Sequence, residues 1–388
     1  MNITVKEILQ HEPFRPYTPV AGLTGLTNEV RHVSVYETEP DQNNEVFPRA
    51  KVFYLTSLYY QKDSTEAMLH YLQTICDLKA SGLCVIDDYI QTFPEEVLRF
   101  CDEHALPLLL VNHNIPYADM ISAVMEQIIL AQQKKITENK LKLLESSSLS
   151  PTESMETIRD LNPHFRPQLT TFYLLAADSR TFDAGAASAF IEKINETPSH
   201  FACHYKKGIL LLCSHPEIGA LRYENLVSGI ITQIETLLPG GIIGISEDLL
   251  LEDCGKSISQ AITAVQIFRR ESAPDSHNLI YYRDLGLYKL LVSFLGSNAL
   301  RQFYEETVQQ ILDYDLQYRS HLFSTLEIFL KNDCSYTAAA KEMFVHENTI
   351  RYRMERIKEV LDFRGSDMDL FHTLDVACKI HRLKIASL

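Results

Sequence analysis

The chain has 388 residues and no run of about 18 uninterrupted apolar ones, which argues against a membrane-spanning helix. Its first residues, MNITVKEILQHEPF, lack the basic start and apolar block of a secretory leader, so none is expected. The eight cysteines (76, 84, 101, 203, 213, 254, 334, 378) lack C-x-x-C spacing. In a chain of this length that predicts reduced, mostly buried thiols and a cytoplasmic location. There is no G-x-S-x-G or H-E-x-x-H motif and no tandem repeat. Positive charge is also in short supply: Lys and Arg number 36 against 51 Asp and Glu, a formal charge of −15. A protein that coats nucleic acid or membranes indiscriminately would have the opposite balance.

What is present is 46% apolar residues, enough for two to four domains that each bury a core. Residues 1–130 predict an α/β domain. EVRHVSVYE, KVFYLTS, GLCVIDD and LPLLLVNH are short apolar or β-branched runs bounded by turn residues. Between them, STEAMLHYLQTICDLKAS puts Met68, Leu72, Ile75 and Leu78 on one helical face, and PEEVLRFCDEHA opens with acidic residues, as helix starts do. Strand–helix alternation of this kind predicts a mostly parallel sheet. From Asp119 to Glu145 the pattern is one long helix. Its apolar positions Ile121, Val124, Ile128 and Ala131 suit a dimer-forming or connecting helix. SSSLSPTES then breaks the chain, so residues 131–152 are expected as a helical linker. Residues 153–286 predict a second α/β domain, with a hairpin turn at YKKG, and 287–388 predict helices alone. The fold class expected is therefore α/β plus all-α.

Charge is uneven. From Ser320 to Leu388 the ten Lys/Arg and ten Asp/Glu cancel, so the whole −15 lies before Ser320. Within that neutral end, SYTAAAKEMFVHENTIRYRMERIKEVL brings Arg351, Arg353, Arg356 and Lys358 into eight residues. Ser335 can cap a short alanine-rich helix, whose Ala339 and Ala340 allow close approach by a neighbour. FVH leaves room for a sharp turn, and a second helix begins near Glu347. Two helices joined this way form a helix-turn-helix. At about 100° per residue, Ile350, Met354, Ile357 and Leu361 make the buried stripe. Asn348, Tyr352 and Glu359 lie opposite, with Arg356 to one side, Thr349 and Arg351 flanking, and Arg353 near the stripe. Asn348, Thr349, Arg351 and Tyr352 are then expected near bases, with Arg356 and Lys358 on phosphates. Arg353 is expected to bind a neighbouring carboxylate or the backbone of the first helix. A salt-bridged solvent face is the plainer alternative, since Arg351–Glu355 and Glu355–Lys358 have ion-pair spacing, and Glu347 and Glu355 would repel phosphates that they faced.

Together, LEIFLKNDCSYTAAAKEMFVHENTIRYRMERIKEVL and LFHTLDVACKIHRL resemble the C-terminal helix-turn-helix domain of the PucR/CdaR family of bacterial transcription regulators. Val345, His346, Asn348, Thr349, Tyr352, Arg353 and Ile357 match its signature. Met343 and Met354 stand where leucine is usual, and Glu347 where a basic or small residue is common. VKEILQHEPF with VAGLTGLTNEVRHVSVYETEP, and later LPLLLVNHNIPYADMISAVMEQI, are similar to the family's N-terminal effector-sensing domain, although YLTSLYY lacks glycines expected there. GGIIGIS, SISQAITAVQIF and YYRDLGLYKLL resemble its GGDEF-like middle domain. The resemblance implies a dimeric regulator that binds double-stranded promoter DNA and responds to an unidentified small catabolic metabolite.

Rival readings have their own signals. The GGDEF kinship invites a nucleotide-processing enzyme, but the hairpin HYKKGILLLC holds two lysines where Mg²⁺ would need carboxylates. A metabolite-sensing adaptor without DNA binding is the other alternative. His200, Cys203, His204, Cys213 and His215 number enough for zinc. A turn centred on Lys207 would pair 203 with about 211 and 213 with about 201, which does not converge four ligands. No metal, cofactor or catalytic residue is expected. His346 is expected to cap or pack at the turn, and GLTGLTNE to be a turn rather than part of an effector pocket.

Overall fold

The computed structural model describes residues 3–37, 49–146, 149–176, 182–271 and 278–385. The chain break expected around SSSLSPTES falls partly on residues 147–148, outside the described residues. Two compact units divide the chain, Met1–Asn139 and Lys140–Leu388.

The first unit runs α1 (Val5–Ile8), β1 (His32–Val35), β2 (Val52–Thr56), α2 (Thr65–Asp77), β3 (Gly82–Ile86), α3 (Glu95–Glu103), β4 (Leu108–Val111) and α4 (Tyr117–Glu145). Its four strands are parallel and stand in chain order. The inner strands read as unbroken apolar runs because both faces are covered. Val52, Tyr54, Leu83 and Val85 face Met68, Leu72, Ile75, Val97 and Cys101 of α2 and α3. The alternate residues Phe53, Leu55, Cys84 and Leu109 face Val5, Ile8, Met120, Val124 and Ile128 of α1 and α4. The heptad-like stripe of α4 is thus part of this unit's own core rather than a free seam. β1 is an edge strand with three of its four residues exposed.

GLTGLTNE forms a 3₁₀ turn, Leu23–Thr27. Gly22 sits at φ +73°, and a Cβ there would come within 1.9 Å of the Leu106 carbonyl. A Cβ on Gly25 would come equally close to that of Ala105. These glycines let the turn lie on the chain that enters β4.

The second unit continues with the last turn of α4 and α5 (Pro151–Leu161), β5 (Gln168–Ala176), α6 (Ala184–Asn195), β6 (His200–Tyr205), β7 (Gly208–His215), α7 (Ala220–Leu237), β8 (Gly241–Ile245), β9 (Leu249–Leu250), α8 (Cys254–Glu271) and β10 (Leu279–Tyr281). The sheet order is β10-β8-β5-β7-β6, with β9 against β5. All pairs are antiparallel except β10–β8. One face packs on α5 and α8, the other on α6 and α7. Residues 131–152, expected as a linker, are helical through Glu145, and Leu141 and Leu144 are fully buried in this unit's core.

The remaining helices are α9 (Tyr288–Ser293), α10 (Asn298–Tyr304), α11 (Gln310–Tyr318), α12 (Leu322–Lys331), α13 (Tyr336–Glu342), α14 (Glu347–Val360) and α15 (Asp367–Ile385). One cluster joins Leu322, Leu326 and Phe329 of α12 to Ile350, Met354 and Ile357 of α14 and to Leu370 and Leu374 of α15. A second joins Ile267 of α8 to Tyr304, Val308, Ala377 and Ile380, seating the helical end on the sheet layer.

Candidate nucleic-acid interface

Ser335 caps α13 through its hydroxyl, which accepts from the Ala338 amide at 3.3 Å. Ala339 and Ala340 are buried, so α14 packs directly against their backbone. The turn between the helices turns on Phe344, a non-glycine residue at φ +54°. His346 then caps α14, its Nδ1 accepting from the Asn348 amide at 3.2 Å.

On α14 the buried positions are Ile350, Met354 and Ile357, with Leu361 half-buried just beyond the helix end. The opposite face exposes Asn348, Arg351 and Tyr352 (62% exposed), while Thr349, Arg356 and Lys358 are half-buried. All six residues expected at DNA therefore lie on one short helix, clear of its buried stripe.

Most of the cations have carboxylate partners. Arg351 donates from Nη2 and Nε to Glu347 Oε1 at 2.7 and 3.1 Å and lies 4.3 Å above the Tyr336 ring. Glu347 Oε2 accepts from Thr337 Oγ1 at 2.8 Å. Arg351 and Thr337 together hold the Glu347 carboxyl below its ordinary range. Glu347 thus ties α13 to α14. Arg356 donates to Glu359 at 2.7 Å and to the Tyr352 hydroxyl at 3.2 Å. Lys358 donates to Asp367 at 2.6 Å. The partner carboxylates of Arg356 and Lys358 are 64% and 61% exposed, and side-chain exposures of Arg351 and Glu347 are 55% and 35%. Solvent screens pairs this exposed, so they hold their partners weakly and exchanging a carboxylate for a phosphate costs little.

Arg353 is different. Its Nη1 donates to Thr325 Oγ1 at 2.9 Å, and Thr325 is fully buried on α12. The expected carboxylate or first-helix backbone is not its bonded partner, because α12 rather than α13 lies beside it at this turn of α14. Sequence reasoning also passed over Phe344, which is 95% exposed. A bulky aromatic where a turn favours glycine or asparagine was the available signal.

The His/Cys group in the middle of the chain follows a register one residue away from that expected. Cys203 pairs with Leu210, and Cys213 with His200. His200 Nε2 lies 3.5 Å from Cys213 Sγ, whereas His215 Nε2 lies 3.1 Å from Asp248 Oδ1. Among the described residues no three His, Cys, Asp or Glu side chains converge as metal ligands. The β6–β7 turn holds Lys206, which pairs with Glu145 at 2.5 Å. Among the described residues no helix is long and apolar enough to cross a membrane.

Comparison with known proteins agrees at both ends of the chain. Residues 7–128 match the purine catabolism regulatory protein-like family, and residues 322–380 match the PucR C-terminal helix-turn-helix domain. The proline-responsive transcriptional activator PutR of Bacillus subtilis (strain 168) is 31% identical over 114 residues, 29% of this chain and 27% of that protein. The purine catabolism regulatory protein of the same organism is 26% identical over 216 residues, 54% of this chain and 39% of that protein. These matches span well under half of the relatives' own length. A crystal structure of a regulator of polyketide synthase expression from Bifidobacterium adolescentis aligns with 65% of this chain and 99% of its own, at 16% identity and a TM-score of 0.32. That likeness is too low to bear on the fold. The chain thus carries a PucR-type domain at each end, an N-terminal one over residues 7–128 and a helix-turn-helix over residues 322–380.

Proposed function

We propose that the protein is a transcriptional regulator that binds promoter DNA through α14 and responds to a small catabolic metabolite. The observation that carries this reading is the division of α14. One side is sealed into the helical core, while the other presents Asn348, Arg351 and Tyr352 behind a short turn. Asn and Arg make the favoured bidentate pairings with adenine and guanine. The first turns of such a helix are the part that reaches base edges in a major groove. Arg356 and Lys358 lie further along, suited to phosphates.

A single helix-turn-helix covers few base pairs, so a homodimer on two half-sites accompanies this reading. The names of the relatives, one proline-responsive and one a regulator of purine catabolism, support a small catabolic effector. That effector acts only by binding two arrangements of the protein unequally.

The test is a gel-shift titration against DNA upstream of the gene and its neighbours, with Asn348→Ala and Arg351→Ala beside the parent. Specific binding is expected to fall steeply with salt and to vanish in both variants while their melting temperatures hold. Binding that is unchanged in both variants would remove α14 as the reading helix. A salt-insensitive interaction would favour a protein partner instead.

A further inference from the structure

The first unit contains a cavity of about 400 Å³ beside the start of β1 and the later turns of α4. Its size falls within the range of small-molecule pockets, about 300–1,000 Å³. Ile3, Val30 and Ile128 form an apolar floor, each at most 7% exposed. Arg31, Gln132 and Lys135 stand exposed around it.

The local charge is opposite to that of the whole chain. Glu29 is the carboxylate at this edge, and it already bonds both Arg31 and Lys51. Burial opposes its charge, yet those two cations hold its carboxyl below the ordinary range. The cavity lining itself adds Lys135 to Arg31 and contains no carboxylate, in a protein of net charge −15. The backbone does not add to anion binding here. The amide of Val30 donates to Ile3, and those of Arg31 and His32 donate to Lys51. The pocket therefore has side-chain cations over hydrocarbon, without the free amides by which helix ends cradle phosphate.

We infer that this cavity binds a small organic carboxylate, its hydrocarbon on Ile3, Val30 and Ile128 and its charge between Arg31 and Lys135. The inference rests on the effector-responsive reading above and names the effector's chemical class. A ligand there touches α4 at Ile128 and Lys135, and the same helix continues to Glu145 in the second unit.

The experiment uses the full chain, with thermal shift and isothermal titration against propionate, butyrate, valerate and hexanoate and the neutral amides of the same lengths. Affinity is expected to rise with chain length among the acids and to be absent for the amides. Lys135→Glu reverses the rim charge, and Ala131→Phe fills the cavity from α4. Each is expected to weaken acid binding by at least about tenfold while the unliganded melting temperature is retained. Equal binding of acids and amides, parent-like binding by both variants, or no binding by any acid would overturn the assignment. Operator binding without any acid is measured in parallel. A protein that binds DNA but no acid loses this site and keeps the regulator reading; one that binds the acids but no DNA does the reverse.

Discussion

Arg353 on α14 donates from Nη1 to the Thr325 hydroxyl on α12 at 2.9 Å, and that hydroxyl in turn donates to the His321 carbonyl at 2.6 Å. One buried oxygen therefore fixes α14 against the helix that precedes the motif. Thr325→Val keeps the volume and leaves the guanidinium without this acceptor. A loss of about 1.5–3 kcal/mol is expected, the usual contribution of a hydrogen bond to a charged group. Urea titration measures it, and a parent-like midpoint would show that this bond does not stabilise the fold.

The remaining cations of α14 divide by what they contact. Arg356→Ala and Lys358→Ala are expected to weaken binding to all sequences alike, each lowering the slope of log affinity against log salt by about one. Their melting temperatures should barely move, because both are in surface ion pairs. A slope unchanged in both variants would place neither residue at a phosphate.

Phe344 combines near-complete exposure with φ +54°. A left-handed conformation costs a residue with a Cβ about 1–2 kcal/mol, a cost that glycine avoids while losing more chain entropy. Phe344→Gly is therefore expected to be as stable as the parent or slightly more so. If α14 meets DNA as proposed, operator affinity is expected to fall, since the ring stands exposed in the turn before that helix with no core to serve. Parent-like affinity would exclude the ring from the interface.

His215 is buried with Nε2 on Asp248 and Nδ1 2.8 Å from the Pro216 carbonyl. Burial opposes its charge, but the bonds to Asp248 and Pro216 raise its pKa above the ordinary 6.5. A raised pKa gives stability that is present below the unfolded value and lost as pH climbs through the folded one. Neighbouring His200 is shifted down by burial and acts in the opposite sense, weakening the fold as pH falls. The stability difference between the parent and His215→Gln isolates the first effect. It is expected to be larger at about pH 6 than at about pH 8.5; an equal difference at both would show that the charged imidazole is not stabilised here.

Much of the architecture was legible in the chain. The strands of the first unit are short apolar runs between turn residues, and α14 shows a clean 3.6-residue period. The resemblance at both ends agreed with the family matches. Less legible were features that depend on partners far along the chain. The stripe Ile121, Val124, Ile128 reads equally well as a dimer seam or a core face, because periodicity says which residues share a side but not what covers it. Whether the hairpin at YKKG pairs Cys213 with residue 200 or 201 depends on the tightness of one turn, which composition leaves open.

The sequence by itself determined which residues of α14 share a face, because a helix places every third and fourth side chain together whatever surrounds it. It likewise determined where the two helices of the motif begin, through the capping side chains of Ser335 and His346. Only the tertiary structure decided the partners: Thr325 for Arg353, Thr337 on the neighbouring helix for Glu347, and an apolar floor with cations above it beside β1. Those choices depend on segments distant in sequence being folded against one another, and no local pattern encodes that placement.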